Sequence, residues 1–402
     1  MLRECGMRNV GPLMGLALAA CGGGNGPTEP AVFFPLASVS PGSSHSCGLT
    51  PAAAAYCWGS NAFAQLGDSS TRDATTPVAV HGGLTFTNLS AGKYLHTCAV
   101  TTGGAAYCWG YQALGGLGDG TTGLSTTPVP VSGGIIFATV SAGGSHTCGL
   151  TSAGVAYCWG SNYDGQLGTG TSIGPHLCGS YSCSPTPVAV SGGLHFAQLS
   201  TGNSFTCGVT TASVAYCWGY NGNGQLGVGT TTGPEICGSG SHCSASPVAV
   251  SGGLSIATIS AGIYNTCAVT TTGRGYCWGN NDRGQLGNGT TDTSTIPVAV
   301  SGSLTFSRLS AGDFHTCGLT SVGKAYCWGF NNSGRLGNGD TTSSTTPVPV
   351  SGGLIFAAMD VGEVTTCAVT RANVAYCWGS NTYGQLGNGT TLASSVPVVV
   401  SP

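Results

Sequence analysis

His146 to Asn162 reads HTCGLTSAGVAYCWGSN, with two cysteines ten positions apart, a histidine near the first and a tryptophan directly after the second. Alone, these side chains suit a metal centre, a redox pair or a piece of scaffold. Copy number separates the readings, because catalytic and metal sites occur once or twice whereas scaffold units recur along a chain. The tripeptide Cys-Trp-Gly recurs at Trp58, Trp109, Trp159, Trp218, Trp278, Trp328 and Trp378, which are all the tryptophans of the chain. The spacing is about 50 residues, a period that marks a repeat architecture.

Around the tripeptide each copy follows L-x-F-x-x-L-S-A-G-x-x-H-T-C-x-L/V-T-x-x-G-x-A-Y-C-W-G-x-N-x-x-G-Q-L-G-x-G-T-T, then a Ser/Thr-rich run, then P-V-x-V-S-G-G. Seven copies fill Phe33 to Pro402, so the 402 residues read as one array of stacked modules preceded by a short N-terminal segment. Charged residues are 6% of the chain and the formal net charge is −3, which leaves no basic surface for phosphate neutralisation and makes nucleic acid an unexpected partner. With 41% apolar residues at regular positions, the chain reads as a packed β-rich protein rather than a disordered one.

The N-terminal segment MLRECGMRNVGPLMGLALAACGGGNGPTEP has arginines, an apolar run from Val10 to Ala20 and then Leu18-Ala19-Ala20-Cys21. That run is too short to span a bilayer. The Leu-small-small-Cys box resembles the bacterial lipoprotein signal, which implies a signal peptide over residues 1–20, a lipidated Cys21, a Gly/Pro-rich tether over 21–32 and a mature propeller over 33–402. An ordinary secretory signal with a chance cysteine is the other reading, and translation starts at Met1 or Met7. The chain is expected in the cell envelope or on the outer surface, held by its lipid.

Apart from Cys5 and Cys21, every cysteine has a local partner, which in an exported chain points to disulfides. Seven pairs have the C-x9-C spacing: Cys47 with Cys57, Cys98 with Cys108, Cys148 with Cys158, Cys207 with Cys217, Cys267 with Cys277, Cys317 with Cys327 and Cys367 with Cys377. Cys178 with Cys183 and Cys237 with Cys243 are two further local pairs. A hairpin folded about Ser152 sets Cys148 opposite Cys158, within the distance that a disulfide bridges. Zinc needs about four converging ligands at short spacing, and no such group occurs.

Four strand candidates recur per repeat, L-x-F-x-x-L-S, T-C-x-L-T, A-Y-C-W-G and P-V-x-V, separated by Gly, Asn, Ser and Thr turns. Four strands per unit and seven units give an all-β, seven-bladed propeller of four-stranded antiparallel blades, stapled by disulfides. The tryptophans read as fillers between blades, Leu167 as an apolar plug, and Gly160, Gly165, Gly168 and Gly170 as turn residues of positive φ. The extra residue in Gly92-Lys93-Tyr94-Leu95-His96 predicts a bulge or a longer turn.

G-x-x-H-T, C-W-G-x-N and N-x-x-G-Q-L-G-x-G resemble the repeats of the regulator of chromosome condensation family, over almost the whole of the mature chain. The resemblance implies the same seven-bladed propeller. It also suggests three rival roles known among its relatives: guanine-nucleotide exchange, ultraviolet reception and inhibition of a β-lactamase. The export signal and the lack of a basic tail speak against the first, and the confinement of tryptophan to the Cys-Trp-Gly position speaks against the second.

His45, His96, His146 and His315 share one repeat position, which elsewhere holds Phe205, Asn265 and Thr365. Such mixed occupancy suits a hydrogen-bonding strand residue better than a ring of metal ligands. Asp164, Asp282, Asp313, Asp340 and Glu363 lie in different repeats, and no spacing singles out a carboxylate pair for glycoside hydrolysis. No catalysis and no cofactor are expected. Positions that differ among copies are the candidates for ligand contact. They are Lys93, Tyr94, Tyr264 and Phe314 before or near the histidine position, and Tyr111, Tyr163, Asp164, Asp282, Arg283, Phe330 and Tyr383 after Cys-Trp-Gly. The cysteine-bearing loops from His176 to Cys183 and Glu235 to Cys243 are a third variable region. The expected function is binding of a protein, peptide or polysaccharide, with inhibition of another enzyme as the alternative; the oligomeric state and the closure of the ring stay open.

Overall fold

The computed structural model describes residues 33–402 apart from Ser239, and every element in it is a β-strand. Cys5, the signal segment, Cys21 and the tether to residue 32 lie outside the described residues. Seven antiparallel sheets follow one another along the chain, each built from one continuous stretch of sequence.

The opening stretch shows how a blade forms. In blade 3 the strands Thr139–Ala142, His146–Leu150, Ala156–Ser161 and Tyr181–Ala189 pair in that order. His146–Leu150 is buried at all five positions, because an inner strand of a propeller is covered on both faces by neighbouring blades. Cys148 lies opposite Cys158 and Leu150 opposite Ala156. The chain therefore turns about Ala153, one residue beyond Ser152. Gly154 sets that centre: at φ +80° its N–H reaches the Thr151 carbonyl at 2.9 Å, closing a three-residue loop with glycine in the left-handed position.

The same register places a disulfide across the inner hairpin of every blade. Blades 1 to 3 carry the links Cys47 to Cys57, Cys98 to Cys108 and Cys148 to Cys158. Blades 4 to 7 carry Cys207 to Cys217, Cys267 to Cys277, Cys317 to Cys327 and Cys367 to Cys377. In each the two cysteines are direct cross-strand partners, with Cα atoms 4.0–4.1 Å apart. The two loop pairs, Cys178 with Cys183 and Cys237 with Cys243, are also joined, at a Cα separation of 5.9 Å. All nine sequence-derived pairs are thus the observed ones.

The pairing between third and fourth strands breaks at the tryptophan in every blade, as between Cys158 and Gly160. The proline of P-V-x-V falls in this break, where its missing N–H costs no ladder bond. The turn at Gly92–Leu95 is one residue longer than its counterparts, and no bulge forms there.

Each tryptophan is fully buried against the preceding blade, as Trp109 is against Cys47, Cys57 and Leu66. Its indole N–H donates to the carbonyl of the Gln in the preceding G-Q-L-G loop, or of Gly116 or Arg335 where those replace it, at 2.9–3.0 Å. A Thr or Ser hydroxyl at the start of the second strand donates to the same oxygen, as Thr97 does to Gln65 at 2.9 Å. Nearer the axis, Ser40, Ser90, Ser141, Ser200, Ser260 and Ser310 each accept, through Oγ, a backbone N–H of the next blade at 2.9–3.1 Å.

Blade 7 meets blade 1 through the same indole and hydroxyl bonds, without an inner serine bond. Trp58 and Ser46 donate to the Gln385 carbonyl, and Leu36 N–H donates to Asn373 O at 2.9 Å, as Phe196 N–H does to Gly154 O at 2.8 Å. The ring thus closes with no blade shared between the two ends of the array. Two blades depart from four strands: His176–Cys178 adds to blade 3 and Glu235–Ile236 to blade 4 as short fifth strands. The Cys178–Cys183 and Cys237–Cys243 links fold these loops back onto their fourth strands.

Candidate functional site

Antiparallel strands alternate in direction, so turns after the first and third strands of every blade emerge at the same end of the ring. All eleven variable positions, Lys93, Tyr94, Tyr111, Tyr163, Asp164, Tyr264, Asp282, Arg283, Phe314, Phe330 and Tyr383, belong to those turns or to the strand ends that feed them. An axial channel of about 350 Å³, lined by the innermost strands of all seven blades, takes one of them, Lys93, into its wall.

Three groups form. At the mouth, the long turn of blade 2 is tied to both neighbours, with Ser43 Oγ donating to Tyr94 O at 3.1 Å and Lys93 N–H to Gly143 O at 3.0 Å. Burial pushes Tyr94 above the usual phenol range, opposed by the Asn203 side chain beside it. Tyr264 is also raised by burial, then by Tyr94, Asp313, Tyr220 and Glu363 around it. Burial lowers the Lys93 amine, opposed by Asp360, Asp313 and Glu363.

The second group is a cationic and aromatic stack. The guanidinium carbons of Arg283 and Arg335 each lie 5.0 Å from the Phe330 ring centre, within cation–π range, and Phe314 meets Phe330 edge-on at 6.3 Å. Arg335 is only 4% exposed and donates to Asn332 Oδ1 at 2.9 Å. In the third group Tyr163 meets Tyr181 edge-on at 5.3 Å, and Asp164 accepts from Ser241 at 2.6 Å, which ties the loop of blade 3 to the stapled loop of blade 4. Tyr111 stacks with Phe63 at 5.6 Å, while Asp282 accepts locally from Asn280 and Tyr383 stands 47% exposed on blade 7.

The sequence offers Asp313 and Glu363 as candidate carboxylates of variable turns but does not single them out as a pair. Asp313 and Glu363 occupy the same turn in consecutive repeats, on blades 6 and 7, close enough for Glu363 to act on Asp313 electrostatically. Burial first, and Glu363 second, raise Asp313 to about 7, against the lowering influence of Arg335 and Lys93; burial also raises Glu363. Asp313 Oδ1 and Arg335 Nε are buried without a hydrogen-bond partner among the described residues. Equal repeat position was the available signal. Arg335 in place of Gln, at a position that Gly116 also breaks, and Asp360 in place of a Ser constant in the other six repeats were missed as well.

The four histidines sit in the seams. Nε2 of His45, His96, His146 and His315 lies 2.8–2.9 Å from a threonine hydroxyl of the next blade. Those hydroxyls already donate to a carbonyl, so Nε2 carries a proton and donates to them, and burial keeps the imidazoles neutral. Burial lowers His45 to about 4 and His96 and His146 to about 3. Glu235, Cys237 and Cys243 converge within 4.8 Å, but both sulfurs belong to one disulfide, leaving a single carboxylate as donor.

The family model of the RCC1-like domain matches residues 136–401, about two thirds of the chain. The chain belongs to the RCC1-like domain family. Among relatives of this RCC1-like propeller, the Ultraviolet-B receptor UVR8 of Arabidopsis thaliana is 31% identical over 252 residues, 62% of this chain and 54% of the receptor. The chain therefore spans about half the length of that relative. Human WBSCR16 superimposes with a TM-score of 0.75 at 19% identity, covering 87% of this chain and 94% of its own. Prp20p of Saccharomyces cerevisiae does so with a TM-score of 0.73 at 19% identity, over 92% of this chain and 87% of its own. These two share the fold.

Proposed function

We propose that this RCC1-like propeller is a non-enzymatic binding protein that holds a protein or polysaccharide partner at the channel end described above, anchored to the cell envelope through a lipid on Cys21. One observation carries the reading: the eleven candidate positions all belong to one end of the ring, where aromatic and charged side chains cluster. Binding sites favour variable loops on a rigid scaffold. A protein partner suits the surface best, since Ile173, Leu177 and Ile236 are 74%, 73% and 63% exposed on the stapled loops. Prp20p, a structural neighbour, is described with its binding to Gsp1p and histones, which supports protein binding as a use of this fold.

Inhibition of another enzyme is the second reading. Disulfide-closed loops presenting Leu177 and Tyr181 from a fixed base suit insertion into a partner's cleft. Guanine-nucleotide exchange rests on family analogy alone.

The test is capture from envelope extracts by the full chain. Tyr163→Ala combined with Phe330→Ala should lose the captured partner, whereas Ile136→Ser combined with Ile355→Ser at the opposite end should keep it. Loss of capture by the second variant alone would move the site to the other end. Palmitate incorporation abolished by Cys21→Ser tests the anchor.

A further inference from the structure

The inner ring of serine bonds is broken at one seam. Between blades 7 and 1 the serine position holds Asp360, and the N–H that it would accept is missing, because Pro41 stands there. The carboxylate is therefore not required for ring closure. It takes the Ser310 hydroxyl at 2.5 Å and the Val361 N–H at 3.0 Å, both on Oδ1, and lines the channel. Glu363 and Lys93 line the same mouth. Asp313 is 6% exposed, with Oδ1 unpartnered, and faces Glu363, Arg335 and Lys93.

Lys93 follows Gly92 as Glu363 follows Gly362, the same place in the turn of its blade, and both line the channel. Its electrostatic neighbours are Asp360, Asp313 and Glu363, all from blades 6 and 7, although its own strands belong to blade 2. A chain with so few charges has thus brought three carboxylates and a lysine together at one opening. With Arg335, the mouth holds three acids and two bases. A divalent metal would be repelled by both bases, whereas exchange of one ammonium for another leaves the charge balance unchanged.

We propose that Asp360 and Glu363 at this mouth, with Asp313 beside them, form a receptor for an organic cation, the lysine or arginine side chain of a docked protein, and that Lys93, which makes no ion pair with any of the three among the described residues, is their resident counter-charge, displaced on docking. The occupant argument is charge complementarity together with Oδ1 of Asp313, a buried acceptor left without a donor. The proposal rests on the reading that this end binds protein.

The experiment uses the full chain and two small probes, N-acetyl-lysine methylamide and its uncharged analogue N-acetyl-norleucine methylamide, followed by calorimetry at pH 8. Lys93→Met should bind the lysine probe at least tenfold more tightly than the parent chain, adding Asp360→Asn should remove that gain, and the norleucine probe should bind to neither. Equal affinity of parent and Lys93→Met, or indifference to Asp360→Asn, overturns the receptor. A second measurement needs no variant, because the chain contains two lysines, Lys93 and Lys324. Acylation by an N-hydroxysuccinimide ester, read by mass spectrometry, should speed up at Lys93 and stay constant at Lys324 when the lysine probe is added. An unchanged Lys93 rate overturns displacement. Probe binding without capture of any protein leaves the cation site standing and removes the protein-binding reading; protein capture that ignores Lys93→Met and Asp360→Asn does the reverse.

Discussion

The Trp58 indole donates its N–H to the Gln385 carbonyl 2.9 Å away, across 327 positions of sequence. Trp218 makes the same bond to Gln166 at an internal seam. If closure is energetically equivalent to any other seam, Trp58→Phe and Trp218→Phe should each lower stability by about 1–3 kcal/mol, the cost of a lost buried hydrogen bond. Urea denaturation reads both. A Trp58→Phe variant as stable as the parent, beside a destabilised Trp218→Phe, would mean that closure adds nothing.

The hairpin disulfides should act locally and mainly on the unfolded chain. Replacing Cys148 and Cys158 together by alanine opens a loop of about ten residues and should cost about 2–3 kcal/mol in the chain-entropy model. Mass spectrometry of unreduced digests of exported protein should find Cys148 linked to Cys158; free thiols at both would remove the premise.

Gly168 has no tolerance for a side chain. Its φ is +71°, and a Cβ would stand 2.7 Å from Trp218 Nε1. Left-handed strain of about 1–2 kcal/mol adds to an overpacking cost of similar size, so Gly168→Ala should lose more than about 2 kcal/mol. Gly192, also at positive φ but with open space around its Cβ position, is the control that carries the backbone strain alone. Equal losses at the two sites would show that the indole contact is immaterial.

Acidification should weaken the ring. His45, His96 and His146 titrate near 4, 3 and 3 when folded, against 6.5 when unfolded, so from about pH 6.5 downward the unfolded chain binds protons that the folded chain refuses. Stability falls across that window and levels off near pH 3. Asp313 works in the opposite sense: raised from 3.8 to about 7, it favours the folded state at low pH and loses that contribution as pH rises through 7. With four seam histidines against Asp313 and Glu363, the urea midpoint should drop between pH 7 and pH 4. His146→Asn, which copies the residue at Asn265, should drop less. An identical pH slope for parent and variant would exclude the histidine explanation.

The periodic part of this protein was legible because each feature is set by local spacing. Seven Cys-Trp-Gly copies predicted seven blades, and ten-residue cysteine separations predicted hairpins, since strand register depends on only a few neighbouring residues. The mouth was not legible from spacing. Asp313 and Glu363 are fifty positions apart and meet through the packing of consecutive blades, whereas Lys93 lies hundreds of positions from Asp360 and approaches it only because the ring bends the array back on itself. Every member of that cluster does break the repeat, so departures from the pattern were the usable signal. The fifth strands of blades 3 and 4 were hidden for another reason: their loops carry too few apolar residues to show a strand period, and it is the cysteine links that hold them against their neighbours.

The indole bond shared by all seven seams has a consequence for where such a chain can be cut. Phe34 N–H lies 3.3 Å from Val400 O, so the two ends of the described array are already adjacent. A gene rearranged to join them through a short linker and to open instead at Gly133-Gly134, where no atom crowds either glycine on the exposed turn between blades 2 and 3, should still fold into the same ring. The fold's order of blades is cyclic, and its starting blade is an accident of the gene.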